Sequence, residues 1–212
     1  MERAAIRFVP VRKETPWGTW DHIPLDQLLG ILDGLRATWW IAGGYAIDAF
    51  AGSGRRPHDD IDFSVFSAEQ RLVREHLDDW DPHYGGDPSG SLQPWPRGVS
   101  LPAHVHDIWV RRDATDDWRF QLMLNPGGPD EFVYRRDARI RMPLAEATFV
   151  VDGVRYLAPE VQLLFKSRAP RAKDERDFTD CLPLLDPGRR RWLAEALALA
   201  HPDSAWLSRL ER

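Results

Sequence analysis

A chain of 212 residues, 43% hydrophobic and 11% aromatic, can bury a real core as one comfortable domain or two small ones. A net charge of −5 argues against non-specific nucleic-acid binding, which needs clustered cations, though it leaves room for a local basic groove. The single cysteine, Cys181, rules out an internal disulfide framework and fits a reducing cytoplasm, and no apolar run is long enough to span a membrane.

Residues 1–22 read as an irregular arm or edge strand carrying Trp17 and Trp20. Leu25, Leu28, Leu29, Leu32 and Leu35 keep helical spacing, so residues 24–36 are predicted as an amphipathic helix. Residues 39–42 form a short buried strand that ends at Gly43-Gly44, followed by a short helix over 45–50. A strand over 61–66 comes next. Ser67-Ala68-Glu69-Gln70 has the form of a capping box, opening a helix to about residue 77. Residues 78–103 are rich in Asp, Pro and Gly without periodicity; they read as a long loop, either a lid near the cleft or a loose insertion. Strands follow over 104–111 and 118–124, joined by Asp113-Ala114-Thr115-Asp116-Asp117. Residues 149–156 form a hairpin around Asp152-Gly153. From Pro159, well suited to a first helical position, the chain is helical over about 159–168, 172–184, 187–200 and 203–210. Asp186 caps the third of these helices, and Cys181 is read as a buried small hydrophobe. Mixed α and β followed by helices predicts an α/β (α+β) domain over 1–155, with 1–22 as its arm, then a helical bundle over 156–212. A cleft between them would hold substrates.

The chemistry concentrates in Gly43-Gly44 and Asp59-Asp60-Ile61-Asp62. Strand alternation puts Asp60 and Asp62 on one face, with Ile61 and Phe63 on the other. Paired carboxylates repel unless a cation lies between them, and Mg²⁺ is commonly bound by one or two carboxylates together with substrate phosphates. The glycines allow backbone to approach phosphate. Arg55 and Arg56, just before the acids, suit phosphate oxygens or open solvent. His58 reads as a structural hydrogen-bonding residue, and Asp59 points away from the pair. The bland reading of Asp60 and Asp62 is a solvated strand start.

The run Trp40-Ile41-Ala42-Gly43-Gly44-Tyr45-Ala46-Ile47-Asp48, with Arg56-Pro57-His58-Asp59-Asp60-Ile61-Asp62-Phe63, resembles the DNA polymerase β-type nucleotidyltransferases. Within that superfamily the chain is most similar to the small aminoglycoside and lincosamide adenylyltransferases. Pro159-Glu160-Val161-Gln162-Leu163-Leu164-Phe165-Lys166 and Lys173-Asp174-Glu175-Arg176-Asp177-Phe178 resemble their helical half. The resemblance implies a nucleotidyltransferase fold with a mixed sheet. It also implies Mg²⁺-dependent transfer of a nucleoside monophosphate, with AMP from ATP the leading case and other NTPs open. The acceptor would be a hydroxyl of a small molecule, an aminoglycoside-like cation among the candidates, and pyrophosphate would leave.

On this resemblance Asp60 and Asp62 are catalytic metal ligands for two Mg²⁺ ions. Gly43, Gly44, Arg56, Lys166 and Lys173 are expected at the triphosphate. The lysines could equally be surface residues, with Lys173 bonding Asp177. Many superfamily members have Ser after the first glycine, where this chain has Gly44. Relatives also carry a third carboxylate on a neighbouring strand, as metal ligand, general base or both. Asp107 is the candidate, because Gln121 stands where an acid is usual and cannot take a proton; Glu131 or a loop acid is the alternative. The other readings are a toxin-type nucleotidyltransferase acting on tRNA, and a non-catalytic nucleotide-binding protein on the same fold.

Overall fold

The structure, a computed structural model, describes residues 11–52, 57–86 and 90–210. Two short strands, β1 (Lys13–Thr15) and β2 (Gly18–Trp20), pair as a hairpin ahead of α1 (Leu25–Leu32). Then come β3 (Trp39–Ile41), α2 (Gly43–Ala51), β4 (Asp62–Phe66) and α3 (Gln70–His76). Strands β5 (Asp81–Gly86), β6 (Ser91–Pro94), β7 (Asp107–Arg111) and β8 (Phe120–Asn125) follow. A small second sheet holds β9 (Gly127–Gly128), β10 (Glu131–Val133) and β11 (Arg141–Pro143). After α4 (Leu144–Ala147), the hairpin of β12 (Thr148–Val151) and β13 (Val154–Leu157) leads into α5 (Pro159–Lys166), α6 (Ala172–Cys181), α7 (Pro187–Ala200) and α8 (Leu207–Leu210).

The main sheet is mixed, with eight strands in the order β12-β13-β3-β4-β8-β7-β5-β6. Strand β4 lies at its centre, antiparallel to β3 and parallel to β8. Alternation divides the central strands cleanly. Phe63, Val65, Ile108, Val110, Phe120, Leu122 and Leu124 are all buried on one face. The opposite face carries Asp62, Gln121 and Trp109 in one row, since Asp62 pairs with Gln121 and Gln121 with Trp109.

Most predicted elements occur. The turn of the last hairpin places Asp152 at φ 51° and Gly153 at φ 79°, the left-handed pair that a two-residue turn demands. Cys181 is fully buried. The break from strands to helices falls between Leu157 and Pro159, just beyond residue 155.

Two expectations fail. Residues 78–103 are not a long loop: β5 and β6 complete the sheet, and none of their described residues lines the cleft described below. A proline and two glycines hid β5 from propensity. Tertiary contacts stabilise it instead: Arg111 binds Asp81 at 2.8 Å, and Trp95 is buried with its carbonyl accepting from Arg74 at 2.9 Å. Nor does Ser67-Ala68-Glu69-Gln70 form a capping box. Ser67 donates to the Asn125 carbonyl, and Glu69 accepts from the Thr38 backbone N–H at 3.0 Å, so both are taken by neighbouring segments.

Helix α7 begins as predicted, with the Asp186 carboxylate accepting from the Arg189 N–H at 3.0 Å. Replacing a capping side chain by Ala costs about 1 kcal/mol. Asp186→Ala is therefore expected to melt about 2–4 °C below the parent, and thermal unfolding followed by circular dichroism measures this directly.

Candidate functional site

The turn after β3 and the start of β4 crowd one another. Gly43 opens α2 at φ 69°, and a Cβ placed on it would meet Asp62 Oδ2 at 2.1 Å. Both the backbone angle and the neighbouring carboxylate therefore require glycine here. The Gly43 N–H is not left to solvent: it donates to Gln162 Oε1 on α5 at 2.8 Å. The other flank of the site is held from below by a buried pair, His58 and Asp48, 2.7 Å apart and each about 2% exposed. His58 is thus the structural hydrogen-bonding residue that was expected. Its ring also lies 5.0 Å from that of Tyr45, whose hydroxyl is 3.0 Å from His22 Nε2.

Asp60 lies just ahead of β4 and Asp62 opens it, with the intervening Ile61 fully buried. Both acids line a cleft of ≈ 300 Å³ together with Gly43, Gly44, Gln162 and Phe165. The same cleft is lined by the cations Arg136, Lys166, Arg168, Arg171 and Lys173, with Asp174 among them. Among the described residues neither Asp60 nor Asp62 has a hydrogen bond or ion pair through its carboxylate. Removal from water, and then Asp60 alongside, push the Asp62 carboxyl well above the usual carboxylate range; Lys166 and Lys173 pull it back only in part.

The cations nearest the acids are engaged elsewhere. Lys166 is buried between Asp174 at 3.0 Å and Asp177 at 2.9 Å. Arg171 also binds Asp174, at 2.7 Å. Lys173 reaches Asp59 at 3.2 Å rather than Asp177, and Lys13 approaches the same carboxylate at 3.9 Å. Asp59 thus pairs with cations. Arg56 and Arg55 lie outside the described residues.

Asp107 stands on the same sheet face as Asp62 and Gln121. The Gln121 amide donates to Asp107 Oδ1 at 3.4 Å, and Arg135 Nη2 lies 4.0 Å from the same oxygen. The Asp107 side chain is 56% exposed. It does not join Asp60 and Asp62 in a ready cluster, for no group of three His, Cys, Asp or Glu among the described residues is close enough to hold a metal. Glu131 is paired with Arg141 at 3.2 Å on the small sheet. Sequence reasoning missed Gln162, Arg136, Arg168 and Arg171. The basic residues clustered around Lys166 carried a signal; Gln162, inside an apolar helix, carried only its polarity.

The donor set suits a hard divalent cation. Two carboxylates that no protein cation touches, one of them inclined to keep its proton, offer oxygen ligands and leave the remaining positions to phosphate oxygens and water.

A model of the family described as aminoglycoside-2''-adenylyltransferase matches residues 24–180. No curated protein matches the chain. Among solved structures, the lincomycin-bound lincosamide antibiotic adenylyltransferase LnuA is 16% identical, with a TM-score of 0.50 over 74% of this chain and 92% of its own. ANT(2'')-Ia in complex with adenylyl-2''-tobramycin is 15% identical, with a TM-score of 0.52 over 82% of this chain and 95% of its own. At such identities the likeness concerns the fold.

The unpartnered pair makes a stability prediction. Unfolded aspartates ionise near pH 4, whereas folded Asp62 holds its proton to higher pH. Wild type therefore loses stability as pH rises from about 4 to that raised value, and Asp62→Asn does not. Without ligand the variant should melt at or above wild type, by a margin that widens with pH. Mg²⁺ with a non-hydrolysable nucleotide should reverse the order, since ligand at a hundredfold its Kd adds roughly 2.7 kcal/mol to wild type. Thermal shift across pH reads both effects. An Asp62→Asn variant melting well below apo wild type would make the residue a structural one.

Proposed function

The chain belongs to the aminoglycoside-2''-adenylyltransferase family, a family of nucleotidyltransferases, and from that premise we propose that it moves AMP from ATP to a hydroxyl of a small, cationic, antibiotic-like acceptor, releasing pyrophosphate. The observation that carries this reading is the charge composition of one cleft. Asp60 and Asp62 line it together with Arg136, Arg168, Arg171 and Lys173, and a metal-bound triphosphate is complementary to both kinds of charge.

Asp60 and Asp62 would hold Mg²⁺, in a two-ion arrangement completed by phosphate oxygens. When bound, Mg²⁺ supplies Lewis-acid polarisation of the phosphoryl oxygens and lowers the pKa of the attacking hydroxyl. Gly43 and Gly44 would let backbone approach the phosphates, with Gln162 fixing the Gly43 peptide. Lys173, on an exposed-side ion pair with Asp59, can turn to phosphate at little cost. Lys166 would act through its field, since two aspartates hold its ammonium. Asp107 would take the proton of the acceptor hydroxyl, and the Gln121 amide would orient it. Most of the barrier reduction then comes from in-line placement and charge neutralisation. The working division is a catalytic domain over 1–155 and a helical domain over 156–212 that carries much of the cationic lining. The setting we assign is the cytoplasm; no helix among the described residues is long and apolar enough to cross a membrane.

The same cationic lining favours a second reading, transfer to tRNA, because an RNA backbone would also be drawn to it. Mass spectrometry of an acceptor panel with each NTP and Mg²⁺ separates the two. Adenylylated aminoglycoside or lincosamide with pyrophosphate released, and no label on tRNA, is the expected result. Labelled tRNA would promote the second reading, and transfer to neither would overturn both. Asp60→Asn should lower the rate on the order of 10³-fold, as for loss of a main electrostatic element.

The proton acceptor has its own test. Asp107→Asn should depress kcat strongly with little change in nucleotide KM, whereas Glu131→Gln should be mild. Steady-state kinetics ranks the two, and the reverse order would remove Asp107 from the role.

A further inference from the structure

Arg135 lies two residues beyond β10, and its side chain is only 13% exposed. Its guanidinium lies over the ring of Phe165, 5.0 Å from the centroid, and Phe165 lines the cleft beside Asp60 and Asp62. On the other side is Asp107 Oδ1, at 4.0 Å, beyond hydrogen-bond reach. Among the described residues the guanidinium donates no hydrogen bond. A rigid planar fork with five N–H donors is thus shielded along most of its length, yet its nitrogens keep contact with solvent and donate to no protein acceptor among the described residues.

Neither the other shielded arginines nor the exposed Arg136 behaves this way. Arg74, at 9% exposed, donates to the Trp95 carbonyl at 2.9 Å. Arg111, at 18%, binds Asp81 at 2.8 Å. Arg136, next in sequence, donates to the Phe165 carbonyl at 2.6 Å. The Arg135 donors are therefore open to an incoming ligand and are not committed to the fold. Burial lowers the affinity of Arg135 for its proton, while Asp107 most strongly, and Asp62 more weakly, hold it up. The group therefore lies within the field of both carboxylates.

We propose that Arg135 is a further catalytic residue, whose guanidinium donates to the non-bridging oxygens of the α-phosphoryl group during transfer. This rests on the reaction proposed above. In that reaction Asp62 serves the metal-phosphate side and Asp107 the acceptor side, and Arg135, beside Asp107 and over the cleft-lining Phe165, stands where the two sides adjoin. The acceptor oxygen forms its bond to the α-phosphorus as the bond to the bridging oxygen breaks. Pyrophosphate leaves with that electron pair, and the hydroxyl proton goes to Asp107. Charge on the equatorial oxygens persists throughout, and a guanidinium fork matches two such oxygens at once. Stacking on Phe165 pre-orients the fork, so little rotamer freedom is lost when phosphate arrives.

The test uses the full-length chain with the best acceptor of the panel, comparing wild type, Arg135→Ala and Arg135→Lys. Calorimetry with Mg²⁺ and a non-hydrolysable ATP analogue measures ground-state binding beside kcat. Arg135→Ala is expected to lose on the order of 10²–10³ in kcat, with a smaller loss of analogue affinity. Low, non-denaturing guanidinium should restore part of that rate in Arg135→Ala but not in Asp62→Asn. Arg135→Lys, which keeps the charge but not the fork, should fold and still lose much of kcat. Near-wild-type kcat in either variant, or a loss in Arg135→Ala that guanidinium does not relieve, overturns the assignment while leaving the transfer reaction standing. A wild type that transfers to no acceptor overturns the reaction and this role together.

Discussion

Two like charges are brought together at the head of the central strand, in contact with the turn that follows its neighbour. Asp62 sits so close to Gly43 that no other residue fits there. Much of the surrounding architecture follows from this crowding. The turn must be glycine, and its peptide must be anchored from outside, by Gln162 on α5. The loop carrying Asp60 needs a support that does not compete for the cleft, and the buried His58–Asp48 pair supplies it. Helices α2 and α5 are thereby tied to the sheet at the point where repulsion is greatest.

The distribution of cations is the second half of the same constraint. Any lysine or arginine placed directly on Asp60 or Asp62 would quench the repulsion and block a metal. Instead the nearby cations carry their own acids. Lys166 has Asp174 and Asp177, Arg171 has Asp174, and Lys173 has Asp59. The buried Lys166 cluster is well satisfied, and such a cluster holds α5 and α6 in fixed relation more than it adds net stability. Lys173 is partly exposed and held by a single acid at 3.2 Å, so the two lysines suit different tasks despite similar settings in sequence. Arg135 departs from this pattern, with no acid or carbonyl within hydrogen-bond distance among the described residues.

The far side of the sheet face is aromatic. Trp109 extends the row begun by Asp62 and Gln121, and it packs edge-on against Trp17, Trp20 and Trp118 at 4.9–5.7 Å. Packing of this kind fastens the β1–β2 hairpin to the sheet, so of the segment read as an irregular arm or edge strand, residues 13–20 form strands packed on the sheet, while residues 1–10 lie outside the described residues.

What the amino-acid order determined by itself was local. Period-two alternation put Asp60 and Asp62 on one face, and both line the cleft. Asp152-Gly153 marked its hairpin, and Asp186-Pro187 marked the start of α7, because turn and cap chemistry act over a few residues. The mixed sheet and the helices after it were legible from the order of elements, and the family from the motifs around the glycines. Partner choice was not legible. Glu69 could cap its own helix or bind Thr38, and Lys173 could bind Asp177 or Asp59; which occurs depends on segments far away in sequence. Strand β5, with its proline and glycines, exists because β6 and β7 pair with it. The cationic lining and the unpaired guanidinium of Arg135 likewise appear only when α5, α6 and the segment after β10 converge, since hydrogen-bond satisfaction is a property of the folded neighbourhood and not of the chain.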